Sequence, residues 1–308
     1  MKEYSRQDIE DLRLRPLREI FALALEAKLA HRGLKFSFCS IINAKAGRCS
    51  EDCRFCAQSA HYHTESPAYP LKPREEILAA AREARDNGAE HFSLVTSGRG
   101  LPAAEIEPVA AIIEEIIAKV GVKVCASLGI LNEKAFRQLR AAGLSRYHHN
   151  LETSREFFPQ VASTHSFAER EETIAAARAA GLEVCAGGIL GLGESEDDRI
   201  SLAFSLKECG VDSVPLNILI PLPGTPLAQA PPLATAEILK AIALFRLILP
   251  GVALRLAAGR ETMLRDFLGS AFLAGADGMM IGGYLTQRGR LPAEDRRFAA
   301  EARTLWTS

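Results

Sequence analysis

From Lys35 onward the chain repeats one pattern, a short apolar run followed by an amphipathic helical stretch. Such alternation marks parallel α/β architecture, because each parallel strand needs a crossover before the next. Strand candidates fall at 36–43, 91–97, 122–129, 146–152, 182–191, 213–220, 252–259 and 278–284, with helices near 74–87, 104–119, 132–142, 166–180, 195–209, 234–248 and 261–274. Eight units in about 250 residues predict a (β/α)8, TIM-type barrel, with a doubly wound open sheet as the competing architecture. Ser166 and Glu169 match a capping box, and Ser195 with Asp198 approximates one.

Residues 6–32 read as one helix ahead of the barrel, with Ile9, Leu12, Leu14, Leu17, Ile20, Phe21, Leu23 and Leu25 at apolar positions and Arg32-Gly33 as its stop. The barrel then spans about 35–285, the Pro-rich stretch 221–232 joins strand six to its helix, and 292–305 reads as a last helix. No linker or low-complexity tract interrupts the chain, so residues 1–308 are expected to form a single domain.

Directly after strand one stand Cys49, Cys53 and Cys56, spaced C-x3-C-x2-C. Barrel chemistry gathers at the C-terminal ends of strands, so these thiols belong at the mouth. Three thiolates can hold three irons of a [4Fe-4S] cube and leave the fourth open. Zinc is the alternative, but structural zinc is closed by four ligands and favours paired C-x2-C spacings. No second pair follows, yet spacing alone also leaves scattered core thiols open.

Three further thiols lie inside predicted strands, Cys39 on strand one, Cys125 on strand three and Cys185 on strand five, and strand seven carries Arg255. Barrel interiors are filled in layers from alternate strands, so all four can point at the axis and hold a second cluster. Each thiol alone reads as ordinary packing. An axial arginine is costly unless paired, however, and thiolates would supply its counter-charge.

Charge narrows the partners. The 37 Lys and Arg residues nearly balance 38 Asp and Glu, with no block of like charge, so neither nucleic acid nor an anionic membrane is expected. The first residues are charged where a leader would be apolar, and no apolar run reaches about 18 residues, so a cytoplasmic protein is expected. Seven cysteines, an odd number, argue for reduced thiols rather than a disulfide framework. Cys209, within a predicted helix, reads as a plain thiol.

The run from Phe38 to His63, FCSIINAKAGRCSEDCRFCAQSAHYH, resembles the cluster loop of the radical S-adenosylmethionine (SAM) enzymes, and among them that of the biotin synthases. The resemblance extends from about residue 15 to the end of strand eight. It implies that Cys49, Cys53 and Cys56 hold a [4Fe-4S] cluster whose open iron binds SAM, and that its reductive cleavage yields a 5'-deoxyadenosyl radical. The implied reaction inserts sulfur between C6 and C9 of dethiobiotin, drawing it from an auxiliary iron-sulfur cluster. A homodimer and a reducing partner such as flavodoxin or ferredoxin are implied in the same way.

The same resemblance assigns further residues. Cys125, Cys185 and Arg255 match auxiliary-cluster ligands, but the strand-two position that is cysteine in biotin synthases of the well-known type is Ser93 here. Cys39 is then the expected replacement, with Arg255 as ligand or neighbour and a four-iron cluster favoured over [2Fe-2S]. Asn150, Glu152, Arg170, Phe55 and the glycine-rich stretch holding Ile189 match SAM contacts, Arg170 pairing with the SAM carboxylate. Asn150 and Asn217 match dethiobiotin contacts, and His148 stands where an asparagine is frequent. Gly191 and Gly193 do not complete a dinucleotide fingerprint, since Glu196 takes the third glycine position. Ser93 keeps open another radical SAM barrel, an isomerase similar to methylornithine synthase or a hydrogenase maturase. A non-catalytic iron-sulfur or zinc protein is the alternative of a different class.

Overall fold

The computed structural model describes residues 3–283 and 289–304. Its strands are β1 (Ser37–Lys45), β2 (His91–Thr96), β3 (Lys123–Ser127), β4 (Arg146–His148), β5 (Glu183–Cys185), β6 (Gly188–Leu190), β7 (Ser213–Ile218), β8 (Ala253–Leu256) and β9 (Gly278–Met280). Every pairing is parallel. β5 pairs with both β4 and β7, and β6 carries the same barrel position onward along β7. Ser37 opposite Gly278 closes β1 on β9, so eight strand positions form a closed (β/α)8 barrel.

Strand five is split because the chain narrows there. A Cβ on Gly187 would stand 1.9 Å from the Pro215 carbonyl oxygen, and one on Gly188 would stand 2.4 Å from that of Glu152. The expected strand four is regular strand only over Arg146–His148, and at the end of the expected run Glu152 takes a φ of 70°. The last strand is likewise shorter than expected, and Tyr284 and residues 285 and 305 lie outside the described residues.

The helices are α1 (Arg6–Leu12), α2 (Leu17–Arg32), α3 (Arg74–Asp86), α4 (Ala103–Lys119), α5 (Glu133–Ala141), α6 (Phe167–Ala179), α7 (Glu196–Glu208), α8 (Thr235–Ile248), α9 (Arg260–Leu264), α10 (Leu268–Leu273) and α11 (Pro292–Thr304). Both capping boxes are present, at Ser166 and Ser195. Two expected helices are broken. Pro16 keeps the preceding residue out of helical geometry and divides 6–32 into α1 and α2, leaving Leu14 82% exposed. The stretch 261–274 divides at Arg265, whose φ is 47°, into α9, a short 3-10 turn and α10.

Charged residues are buried at the rear of the barrel, where Arg246 donates to the carbonyls of Gly275, Pro250 and Val252 and lies 3.4 Å from Asp277. Asp277 also accepts from Arg32 on α2 at 2.5 Å. Near the other end, Arg260 holds α11 through Asp295 at 2.6 Å. Among the described residues no helix is long and apolar enough to cross a membrane.

Candidate active site

The cysteine loop leaves β1 and folds back on itself. Cys49 N–H donates to the Gln58 carbonyl at 2.9 Å, Ala60 N–H to that of Cys49 at 2.8 Å, and Cys56 N–H to that of Cys53 at 2.9 Å. Two acids between the first two cysteines clasp the loop to residues 163–165. Asp52 accepts from the Ser163 N–H at 2.8 Å and the Thr164 N–H at 3.2 Å. Burial pushes the Asp52 carboxyl up, but these bonds outweigh it and hold the group well below the usual range. Glu51, buried, accepts from Thr164 Oγ1 at 2.8 Å and from His165 Nδ1 at 2.6 Å.

Cys53 is buried and its two partners half-buried, and burial pushes Cys53 up to about 12 and Cys56 to about 11. Thiols so placed are deprotonated when a metal takes them.

Deeper in the barrel, a cavity of about 380 Å³ is lined by Cys39, Cys125, Cys185 and Arg255, so the structure brings these strand residues together as expected. They lie at different heights on their strands. Ser93 on β2 is level with Cys125 and with Ile41, and Cys39 sits one inward position below, opposite His91. Burial raises Cys39 and pushes Cys125 to about 12, against the pull of Arg255 and Arg146. Cys185 differs: burial raises it, but a hydrogen bond from His148 and the charges of His148, Arg146 and Arg255 bring it down to about 7. Arg255 is anchored at this depth, its Nε donating to Ser37 Oγ at 3.1 Å and its Nη1 to Ser213 Oγ at 2.6 Å.

A second cavity of about 200 Å³ adjoins the loop and is lined by Cys49, Cys53, Cys56, Glu152 and Arg170. Phe55, Cys56, Gln58, His148, Asn150 and Glu152 line both cavities, so the two thiol groups face adjoining cavities that share these residues. Asn150 Oδ1 accepts from the Gly187 N–H at 3.1 Å, and its Nδ2 donates to Glu152 at 3.3 Å. Glu152 is buried, and burial raises its carboxyl despite Arg170 at 3.7 Å. Ile189 packs with Val161, Leu192 and Leu219 against Phe55, an apolar wall at the mouth. Asn217 lines the deeper cavity while bridging the Gly188 carbonyl at 3.3 Å and the Ala258 N–H at 3.2 Å.

The donor sets fit iron-sulfur groups on the structure's own terms. All seven thiols are free, and the buried His91 Nδ1 beside the deeper group and His149 Nε2 beside the loop group have no hydrogen-bond partner.

Sequence reasoning missed Glu51, Gln58, His91, Arg146 and His165. Arg146 and His148 share the inward parity of β4, as His91 and Ser93 do on β2, and that period-2 pattern of polar residues was a usable signal. His165 carried none, because only the folded loop brings it to Glu51.

Comparison with known proteins bears on this geometry. Residues 45–206 match the radical SAM superfamily, and residues 215–302 match the Biotin and Thiamin Synthesis associated domain. A biotin synthase from Pelotomaculum thermopropionicum is 52% identical over 285 residues, covering 92% of this chain and 89% of its own. One from Heliobacterium modesticaldum is 55% identical, covering 85% and 80%. Among solved structures, a methylornithine synthase superposes with a TM-score of 0.82 at 18% identity, covering 97% of this chain and 93% of its own. A FeFe-hydrogenase maturase from Carboxydothermus hydrogenoformans gives 0.83 at 18%, covering 97% and 75%; at that identity both speak to fold alone.

Proposed function

The chain belongs to the biotin synthase family of radical SAM enzymes, and from that membership we propose how its own residues divide the work. It inserts sulfur between C6 and C9 of dethiobiotin. The observation that carries this reading is the pair of adjoining cavities, one lined by the three loop thiols and the deeper one by the three strand thiols.

Cys49, Cys53 and Cys56 hold the [4Fe-4S] cluster that binds SAM, and Cys39, Cys125 and Cys185 hold an auxiliary cluster, with Arg255 beside it or ligating it and a four-iron type favoured. When bound, the first group with SAM supplies a carbon-centred radical and the second supplies sulfide. Glu152, Asn150 and Arg170 orient SAM, Arg170 toward its carboxylate. Phe55 and Ile189 wall the mouth against water. Asn217, Asn150 and His148 face the substrate, the two amides offering both donors and acceptors to a ureido ring. Arg146, held by Glu183 at 2.6 Å, and Arg255 place two guanidinium charges near the deep thiols and favour their thiolate forms. A homodimer and an electron donor of the flavodoxin or ferredoxin kind complete the proposal.

The test is an anaerobic reaction of the reconstituted protein with SAM, a reductant and dethiobiotin. Biotin formed together with deoxyadenosine supports the reading. Deoxyadenosine without biotin points instead to a sister radical enzyme, the alternative that Ser93 in place of a strand-two cysteine keeps open.

A further inference from the structure

Three buried side chains connect the cysteine loop to the arginine assigned above to SAM. Glu51 stands between Cys49 and Cys53, and its Oε2 lies 2.6 Å from His165 Nδ1. On the far edge of the same imidazole, His165 Nε2 lies 3.1 Å from Arg170 Nε and 2.7 Å from Arg170 Nη2. Arg170 Nη1 donates to the Asn150 carbonyl at 2.8 Å, and its plane lies over the Phe158 ring at 5.4 Å.

The donor inventory fixes the tautomer. A guanidinium has only N–H donors, so His165 Nε2 must accept, and the one proton of the neutral ring then sits on Nδ1 and is donated to Glu51. Glu51 orders the ring, and the ring's lone pair orders two of the Arg170 donors. Thr164 Oγ1 at 2.8 Å, Ser50 Oγ at 3.1 Å and the Arg99 guanidinium at 3.4 Å are the carboxylate's other partners, so with His165 it is held by four groups.

We propose that His165 is a positioning residue that sets the orientation of Arg170, so that affinity for SAM depends on a neutral imidazole accepting at Nε2. The inference rests on the assignment of Arg170 to the SAM carboxylate. His165 itself lies behind Arg170, buried, with its remaining edge against Phe158 at a centroid distance of 5.5 Å.

Two substitutions separate the edges of the ring. In His165→Gln the amide oxygen reaches the Nε2 position and can still accept from Arg170, whereas in His165→Asn the amide nitrogen reaches the Nδ1 position and can donate only to Glu51. The readout is the SAM dissociation constant, titrated through the change SAM causes in the electron paramagnetic resonance spectrum of the reduced loop cluster, with iron and sulfide counted per chain. His165→Asn is expected to weaken SAM binding by about tenfold or more, the loss of an acceptor for a charged donor, while His165→Gln stays within about threefold of the parent. Both should keep the parent's iron content. Equal weakening in both, no weakening in either, weakening in Gln alone, or iron loss in either variant overturns the proposal. A parent protein whose spectrum does not respond to SAM would instead remove the assignment of Arg170 on which the inference stands.

Discussion

The two thiol groups are built in opposite ways. Cys49, Cys53 and Cys56 come from one eight-residue stretch, held by its own backbone hydrogen bonds and clasped through Glu51 and Asp52. Cys39, Cys125 and Cys185 come from three strands, and what unites them is the barrel's closure and the nearby cations Arg146 and Arg255. The loop thiols are therefore neighbours in the chain, and the long-range contacts to residues 163–165 fix where the loop sits. The deep group is a property of the whole fold, and its charge balance is set by residues far apart in the chain.

If the groups are independent, damage to one should spare the other. The largest effect is expected for Cys53→Ser, which should abolish SAM cleavage and remove the loop iron while the deep iron stays. Cys125→Ser and Cys185→Ser should do the reverse, leaving deoxyadenosine formation measurable while biotin formation disappears. Loss of both irons in either set would break the comparison.

A smaller effect should follow from charge alone. Arg146→Met removes a cation facing Cys125 and Cys185, and retention of deep iron during dialysis should fall by about tenfold with loop iron unchanged. Equal losses from both groups would mean that the mutation acts through folding.

The smallest effect concerns stability. Burial, and then the charge of Arg170, lower the titration of His149 well below its ordinary 6.5, so the folded protein holds this ring neutral where the unfolded chain would protonate it. The unfolded state then binds more protons below about 6.5, and the stability this ring contributes is present above that pH and lost as pH falls. The melting temperature of metal-free protein should drop between pH 7 and pH 5, and His149→Gln should flatten that slope. An unchanged slope in the variant would assign the acid loss to other groups.

This contrast also explains what was legible in the sequence. The loop could be read because its ligands are neighbours, and the eight β/α units because apolar periodicity is local. The deep group was reached only by assuming a barrel and asking which strand residues share an axis. That step found Cys39, Cys125, Cys185 and Arg255 but overlooked Arg146 and His91, which share the inward parity of their strands with His148 and Ser93. The helix breaks at Pro16 and Arg265 differ in what marks them: the proline was visible in the sequence, whereas an arginine at φ of 47° carries no sequence signal. The link from Glu51 through His165 to Arg170 could not be read, because it joins residues more than a hundred positions apart through a loop with no periodicity.

The proposal that one chain holds two separate iron-sulfur groups, with Cys39 serving where strand two offers only Ser93, is open to a direct measurement. Iron and sulfide counts with Mössbauer spectra on the parent and on Cys39→Ser test it most directly. The parent should hold about eight irons in two environments, and the variant should lose the deeper population selectively with the loop cluster intact. A parent with about four irons in one environment, or a Cys39→Ser protein with unchanged iron and sulfide, would contradict it.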